Sequence, residues 1–310
     1  MMTPPTRLKT ERPEPTRLDV IVRDWLQCSW NQARAAIASG KIWHEDGPLT
    51  DPGQLLTTAE LEYRVYARRA DRDNLLAAAA VAALTDDYIV VRKPAGLMTV
   101  PFKNERDTLE ARVRRWLGKK RGQKGRPYLG WVHRLDKETS GLVVFATSTR
   151  GKQVLQHQFQ THAAQRVYHA LVEGQADSAT IETHLVANRG DGKRGSLEKV
   201  PPRRRHHLGA PQRAVTHVHT LEVGQRISRV ICHLETGRTH QIRIHLSEAG
   251  TRIVGDPVYG ETQLPREIVP PRMFLHAVEL AFDDPATGQR VTFEDPLPAS
   301  FDAFWQQLES

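Results

Sequence analysis

The sequence predicts a two-domain α+β protein, a small N-terminal unit followed by a much larger one. Three observations carry this prediction. The 310 residues are enough for one large domain and one small one. A break in composition at 66–83, from the charged stretch 68–72 to the alanine-rich stretch 77–83, separates two patterned regions. Beyond that break, strand and helix signals mix through to the C-terminus with no internal repeat.

Residues 1–15 are rich in Pro, Thr and charge and lack the apolar core of a secretory signal, so a disordered tail is expected. Residues 16–66 form the small domain. Leu18, Val22 and Leu26 recur at helical spacing, and a second helix over 31–39 carries Ala33, Ala36 and Ile37. Ser29 stands where an N-cap oxygen meets free amides, and Gly40 stands where a left-handed C-cap is needed. A strand over 41–44, a turn at Asp46-Gly47-Pro48 and a strand over 60–65 complete it. Some fifty residues make a small core, so marginal independent stability is expected. Residues 67–83 read as a linker with a helical turn, and 84–310 as the large domain.

Within the large domain, the apolar run 142–146 after Gly141 reads as a buried strand. Residues 239–250 read as a helix, with Thr239 near the cap, Ile242, Leu246 and Ala249 on the apolar face and Gly250 at the end. Arg243 then falls one residue off the buried stripe, aimed along a cleft edge.

The formal charge of +8 favours a polyanionic partner. It is clustered at 112–126, which holds eight Lys and Arg and no acid, and at 189–213. The alternative for either run is a solvated loop. The two cysteines, Cys28 and Cys232, lie in different domains, which argues against a disulfide framework and for a reducing cytoplasm. No run approaches the roughly 18 apolar residues of a membrane span. His206-His207 and His217–His219 lack a third ligand at fixed spacing, so no metal is expected. No glycine-rich phosphate loop or dinucleotide fingerprint occurs, so no cofactor is expected.

The most informative segment is Gly130-Trp131-Val132-His133-Arg134-Leu135-Asp136-Lys137-Glu138-Thr139-Ser140-Gly141. From the residues alone, an aspartate flanked by Arg134 and Lys137 serves as a nucleophile, a general base or a structural ion pair. Tyr168, in the strand-like run 166–172, reads from the residues alone as a half-buried strand tyrosine.

His-Arg-Leu-Asp followed by Thr-Ser-Gly and an apolar strand resembles the signature of the RluA-like family of RNA pseudouridine synthases. Further blocks follow in the family's order: 89–97, 166–172, 236–246, Gly255-Asp256-Pro257-Val258-Tyr259-Gly260 and Leu275-His276-Ala277. The resemblance covers about residues 85–305 and implies a catalytic domain built on a mixed, largely antiparallel sheet. It implies that Asp136 acts on the target ribose, by addition at carbon 1′ or by proton removal, while uracil detaches, rotates and rejoins through carbon 5. Either role needs a carboxylate, and Arg243 matches the position that pairs with it. Tyr168 matches the residue that stacks on the extruded uracil, and Arg134 the one that fills the vacated stack. Arg238, His240 and Gln241 of the same block are expected to contact RNA. The chemistry is redox-neutral and needs no added group.

Residues 17–42 resemble the RNA-binding domain named after ribosomal small-subunit protein four, with Arg17, Asn31, Gln32, Arg34 and Lys41 at the RNA-facing positions. His44-Glu45-Asp46-Gly47 replaces the usual asparagine-glycine. Together these features point to RNA as the partner of a cytoplasmic monomer, ribosomal RNA of the large subunit before transfer RNA. Two rival readings are a non-catalytic RNA-binding protein of ribosome assembly and a carboxylate-based nucleoside glycosidase. The latter ordinarily wants a second carboxylate.

Overall fold

Alternation overrides composition at the start of the chain. In the computed structural model, which describes residues 6–44, 47–49, 51–64, 76–102, 105, 107–122 and 125–309, the expected tail forms strand β1 (Thr6–Arg17). Leu8 and Thr10 turn inward while Arg7, Lys9 and Glu11 face solvent, the period of a half-buried strand. The tail expectation is thus corrected from residue 6 onward: Pro and charge concealed a two-residue repeat.

The chain divides into two units, Met1–Leu75 and Leu76–Ser310. In the first, β1 leads into α1 (Leu18–Leu26), α2 (Trp30–Ala38), β2 (Ile42–His44), β3 (Gly47–Leu49) and β4 (Leu55–Tyr63). The strands form an antiparallel sheet in the order β1-β4-β2-β3, with Leu18, Ile21, Val22, Ile37 and Ile42 buried against it. Ser29 caps α2 in a reciprocal capping box with Gln32, and Gly40 follows α2 at φ +70°. Of the expected turn, Asp46 lies outside the described residues, while Gly47 and Pro48 belong to β3.

In the second unit, part of the expected linker belongs to the sheet. Residues 67–75 lie outside the described residues. Ala78–Ala80 make one 3-10 turn, and β5 (Val81–Leu84) pairs with β6 (Tyr88–Lys93). There follow α3 (Leu109–Arg121), β7 (Gly130–Trp131), β8 (Ser140–Ala146), α4 (Thr149–Gln160), β9 (Gln165–Glu173), β10 (Ala179–Val186) and β11 (Gly195–Ser196). The chain closes with β12 (Gln212–Val223), β13 (Ile227–Leu234), α5 (Gln241–Glu248), β14 (Leu275–Asp283), β15 (Arg290–Glu294) and α6 (Ser300–Glu309). The sheet runs β11-β10-β12-β13-β9-β14-β8-β6-β5, with β15 added to β14 and β7 to β8. The fold is therefore α+β with a mixed sheet, antiparallel throughout except where β14 runs parallel to β8.

Helices cover both faces of the sheet, which is why β8 is buried along its whole length. On one face, Val143 and Phe145 share a core with Val113 and Leu117 of α3 and with Ile242 and Leu246 of α5. Leu142, Val144 and Ala146 join Leu155 of α4 on the opposite face. Phe301, Phe304 and Leu308 of α6 pack on Leu171, Ile227 and Phe274. Among the described residues, no helix is long and apolar enough to cross a membrane.

The parallel pair passes through Gly141, at φ +112° and opposite Ala277. A Cβ there would overlap the Ala277 backbone. Gly141→Ala is therefore expected to cost at least about 3 kcal/mol in urea unfolding. Gly288→Ala, at φ +70° with open space around it, should cost only about 1 kcal/mol.

Candidate active site

The loop between β7 and β8 carries Asp136, and hydrogen bonds from the segment after β6 hold its backbone. Thr99 Oγ1 donates to the Leu135 carbonyl at 2.8 Å and accepts the Leu135 amide at 3.2 Å. Buried Lys93 donates through Nζ to the carbonyls of Pro94, Leu97 and Lys137 at 2.9, 2.7 and 2.9 Å. Burial pulls the Lys93 amine down to about 7, opposed by Glu138 and Asp136. Three carbonyl acceptors around one nitrogen call for the ammonium form. The Gly96 amide also reaches the Lys137 carbonyl, and the Thr139 amide turns back to the Asp136 carbonyl at 3.2 Å.

Arg243, on the first turns of α5, is only 4% exposed. Its Nη1 donates to Asp136 Oδ2 at 3.1 Å. The expected pairing is therefore present as a single hydrogen bond. The bidentate partner is Asp256, which accepts from Nε at 2.7 Å and Nη2 at 2.8 Å. Asp256 Oδ1 also accepts the amides of Val258 and Tyr259. Burial opposes the charge on both partners, but their mutual pairing raises the Arg243 pKa and lowers that of Asp256. The expectation that Arg243 lies at a cleft edge is corrected: it is buried in the cleft floor.

Tyr168 on β9 is buried with its ring lining the cleft, and burial pushes its hydroxyl up to about 12, so it is protonated at neutral pH. His240, in a left-handed conformation at the N-cap of α5, places Nε2 3.8 Å from Asp136 Oδ1 and shares a 2.7 Å hydrogen bond with the Tyr259 hydroxyl. Burial lowers its pKa. Thr239 lies next to the cap, as expected, and accepts a hydrogen bond from Arg134 Nη2 at 2.9 Å. Arg238 donates to the Arg213 carbonyl from the rim.

Gln241 corrects another expectation. Its oxygen accepts from the Thr236 hydroxyl and the Arg238 amide, and its nitrogen donates to the Val215 carbonyl and the Thr216 hydroxyl. At 2% exposure it braces the entry to α5 rather than facing RNA.

Tyr168, His240 and Gln241 line a cleft of about 650 Å³, in which Asp136 is the sole carboxylate among the lining residues, against Arg134, Arg166, Arg238 and Arg243. The basic runs are less free than their count suggests. Arg112 pairs with Asp107, and Arg114 is held by Glu110 and the carbonyls of Pro127 and Leu129. Arg189 pairs with Asp191, and Arg213 with Glu182 and Glu235. Arg194 acts electrostatically on His240 and Tyr259. His217 shares a hydrogen bond with Thr180, and His219 packs edge-on to His233.

The first unit presents its expected residues separately. Arg17 forms a bidentate pair with buried Asp19, which also accepts from Arg34. Asn31 and Gln32 are exposed, although the Gln32 oxygen is occupied in the capping box, and Lys41 is half-buried.

Residues 87–248 match the family described as RNA pseudouridylate synthase. The chain is 34% identical over 232 residues to ribosomal large subunit pseudouridine synthase D of Zymomonas mobilis, covering 72% of this chain and 70% of that one. Against the protein of the same name from Pseudomonas aeruginosa it is 34% identical over 281 residues, covering 84% and 83%. It is 39% identical to the namesake of Neisseria meningitidis serogroup A, of which it spans 56%. Among solved structures it resembles human RNA pseudouridylate synthase domain containing 1, at TM-score 0.57 and 27% identity, covering 73% of this chain and 86% of that one.

Two measurements probe this geometry. Asp256→Ala strands a buried guanidinium and should cost about 3–5 kcal/mol in denaturant unfolding. Asp136→Ala, which removes one hydrogen bond from the partly exposed side, should cost under about 2 kcal/mol. The second measurement concerns acid. Burial holds His133 down to about 3 and His245 to about 4. His133 accepts the Val144 amide, and His245 bonds Thr183 and Thr216. The unfolded chain takes up these protons first, near pH 6.5. The contribution of these two histidines should therefore be level above pH 6.5 and fall below it, by up to about 1.4 kcal/mol per pH unit per histidine. Unfolding at pH 7 and pH 5 should show a smaller loss in His245→Gln than in wild type.

Proposed function

Because the chain belongs to the RNA pseudouridylate synthase family and is an RNA pseudouridine synthase, we propose that it isomerises uridine in large-subunit ribosomal RNA with Asp136 acting on the target ribose. The observation that supports the role of Asp136 most directly is its placement: a lone cleft carboxylate with one oxygen on Arg243 and the other 3.8 Å from His240 Nε2. The relatives named for the large ribosomal subunit support the substrate class.

The reaction breaks the bond between carbon 1′ and uracil N1, turns the base and forms a bond from carbon 1′ to carbon 5. Carbon 5 loses its hydrogen and N1 gains one, so nothing is added overall. Arg243 orients the Asp136 carboxylate by a charge-assisted hydrogen bond. The Tyr168 ring, with Ile242 and Leu275 beside it in the cleft lining, offers an apolar wall for the detached uracil. The target leaves its stack to enter, and Arg134, exposed and bonded to Thr239, stands ready to take its place. The first unit adds a second RNA contact through Arg17, Asn31, Arg34 and Lys41, in the manner of the ribosomal-protein-four domain.

A glycosidase would need a second working carboxylate. Asp256 has both oxygens on Arg243, which leaves it no acid or base role. Ribosomal RNA labelled with tritium at uridine carbon 5, taken from cells lacking this gene, distinguishes the readings. Wild type should release tritium to water, and Asp136→Ala should release none above background. Free uracil in the supernatant would instead favour glycosidic cleavage.

A further inference from the structure

The cleft carries an aromatic at its rim that the chemistry of Asp136 does not use. Trp131 ends β7 with its side chain 53% exposed. Its backbone is fixed on two sides. It pairs with Phe145 of β8, and its carbonyl accepts the Gln156 amide of α4 at 3.4 Å. Neither contact needs an indole, yet Trp131 lines the same cleft as Asp136, as do Gln156 and His162.

Tyr128, three residues upstream, is also exposed. A Cβ on Gly130 would meet Lys152 Cδ at 2.9 Å and the Tyr128 hydroxyl at 3.1 Å, so the glycine lets these two side chains close over the strand. Further upstream, Lys120 and Arg126 are exposed, and Arg134 follows downstream. In chain order the exposed groups are thus two cations, two rings and a further cation, and the last ring and last cation line the cleft: cations that suit phosphates flank ring faces that suit bases. Such an arrangement fits unpaired RNA, whose bases offer free faces, better than a duplex, whose bases are stacked. Asp136 lies five positions after Trp131, a span of at most about 18 Å. A base on Trp131 therefore belongs to a near neighbour of the target.

Resting on the reading that Asp136 acts on RNA, we infer that Trp131 is a specificity-determining platform that stacks on an unpaired base flanking the target uridine, with Tyr128 next along the strand. A structure that offers no unpaired neighbour would lose this contact and react poorly at low concentration.

The test is single-turnover tritium release from the same carbon-5-labelled ribosomal RNA, over a range of RNA concentrations. Trp131→Ala should raise the half-saturating RNA concentration roughly five- to hundredfold, the range that base–aromatic stacking spans. The rate at saturation should stay within about twofold of wild type, and Trp131→Phe should recover most of the affinity. The dependence of affinity on salt should not change, because no phosphate contact is removed. Unchanged half-saturation in Trp131→Ala overturns the proposal. So does a fall in saturating rate and melting temperature shared by both variants, which would assign the residue to the scaffold. Absence of release from wild type would instead sink the reading on which the proposal rests, and Asp136→Ala serves as the control that separates the two.

Discussion

One buried guanidinium ties the catalytic unit together. Arg243 is held on one side by two charge-assisted hydrogen bonds to Asp256 and offers its remaining corner to Asp136. The two sides differ in strength. A buried pair that loses one partner forfeits about 3–5 kcal/mol, whereas a single charge-assisted hydrogen bond contributes about 1.5–3 kcal/mol. The firmer grip lies away from the cleft and the looser one faces it. Asp136 can therefore change its contacts while the cation beneath it stays in place. Tyr259 supports the same cation from its ring face, 5.1 Å from the guanidinium carbon, and passes a hydrogen bond to His240 at the mouth.

The other half of the site is a loop, and a loop is a poor place for a reacting group unless its backbone is fixed. Here the fixing comes from Lys93 and Thr99, both buried, through hydrogen bonds to main-chain atoms on either side of Asp136. The loop also sits between β7 and β8, and β8 has neighbours on both edges and helices on both faces. Asp136 thus inherits the order of the most enclosed strand.

Much of this was legible in the sequence. The apolar run after Gly141, the capping residue Ser29 and the helix holding Arg243 all carry local signals that no tertiary contact overrides. The motif around Asp136 and its expected partner Arg243 came together at 3.1 Å. What could not be read was long-range. Nothing in a one-dimensional pattern says that Asp256 takes the bidentate side of Arg243, or that Thr99 reaches Leu135. Gln241 shows the same limit from the other direction, since a polar residue beside His240 looks like a contact until its four hydrogen bonds are seen. β1 was hidden differently, by prolines and charges that a strand at a sheet edge tolerates.

The parallel pairing of β8 with β14 has a consequence in time. β8 meets β14 at Ser140 and His276, 136 residues apart in the chain. At roughly 5–20 residues per second of synthesis, about 7–27 s pass between the emergence of one and the other. Throughout that interval β8 lacks its β14 neighbour at the end next to the Asp136 loop, although β7 pairs with its other end, and Asp256 and Arg243 reach the exit only late within it. The loop carrying Asp136 therefore gains its full surroundings only after the chain has been made through His276.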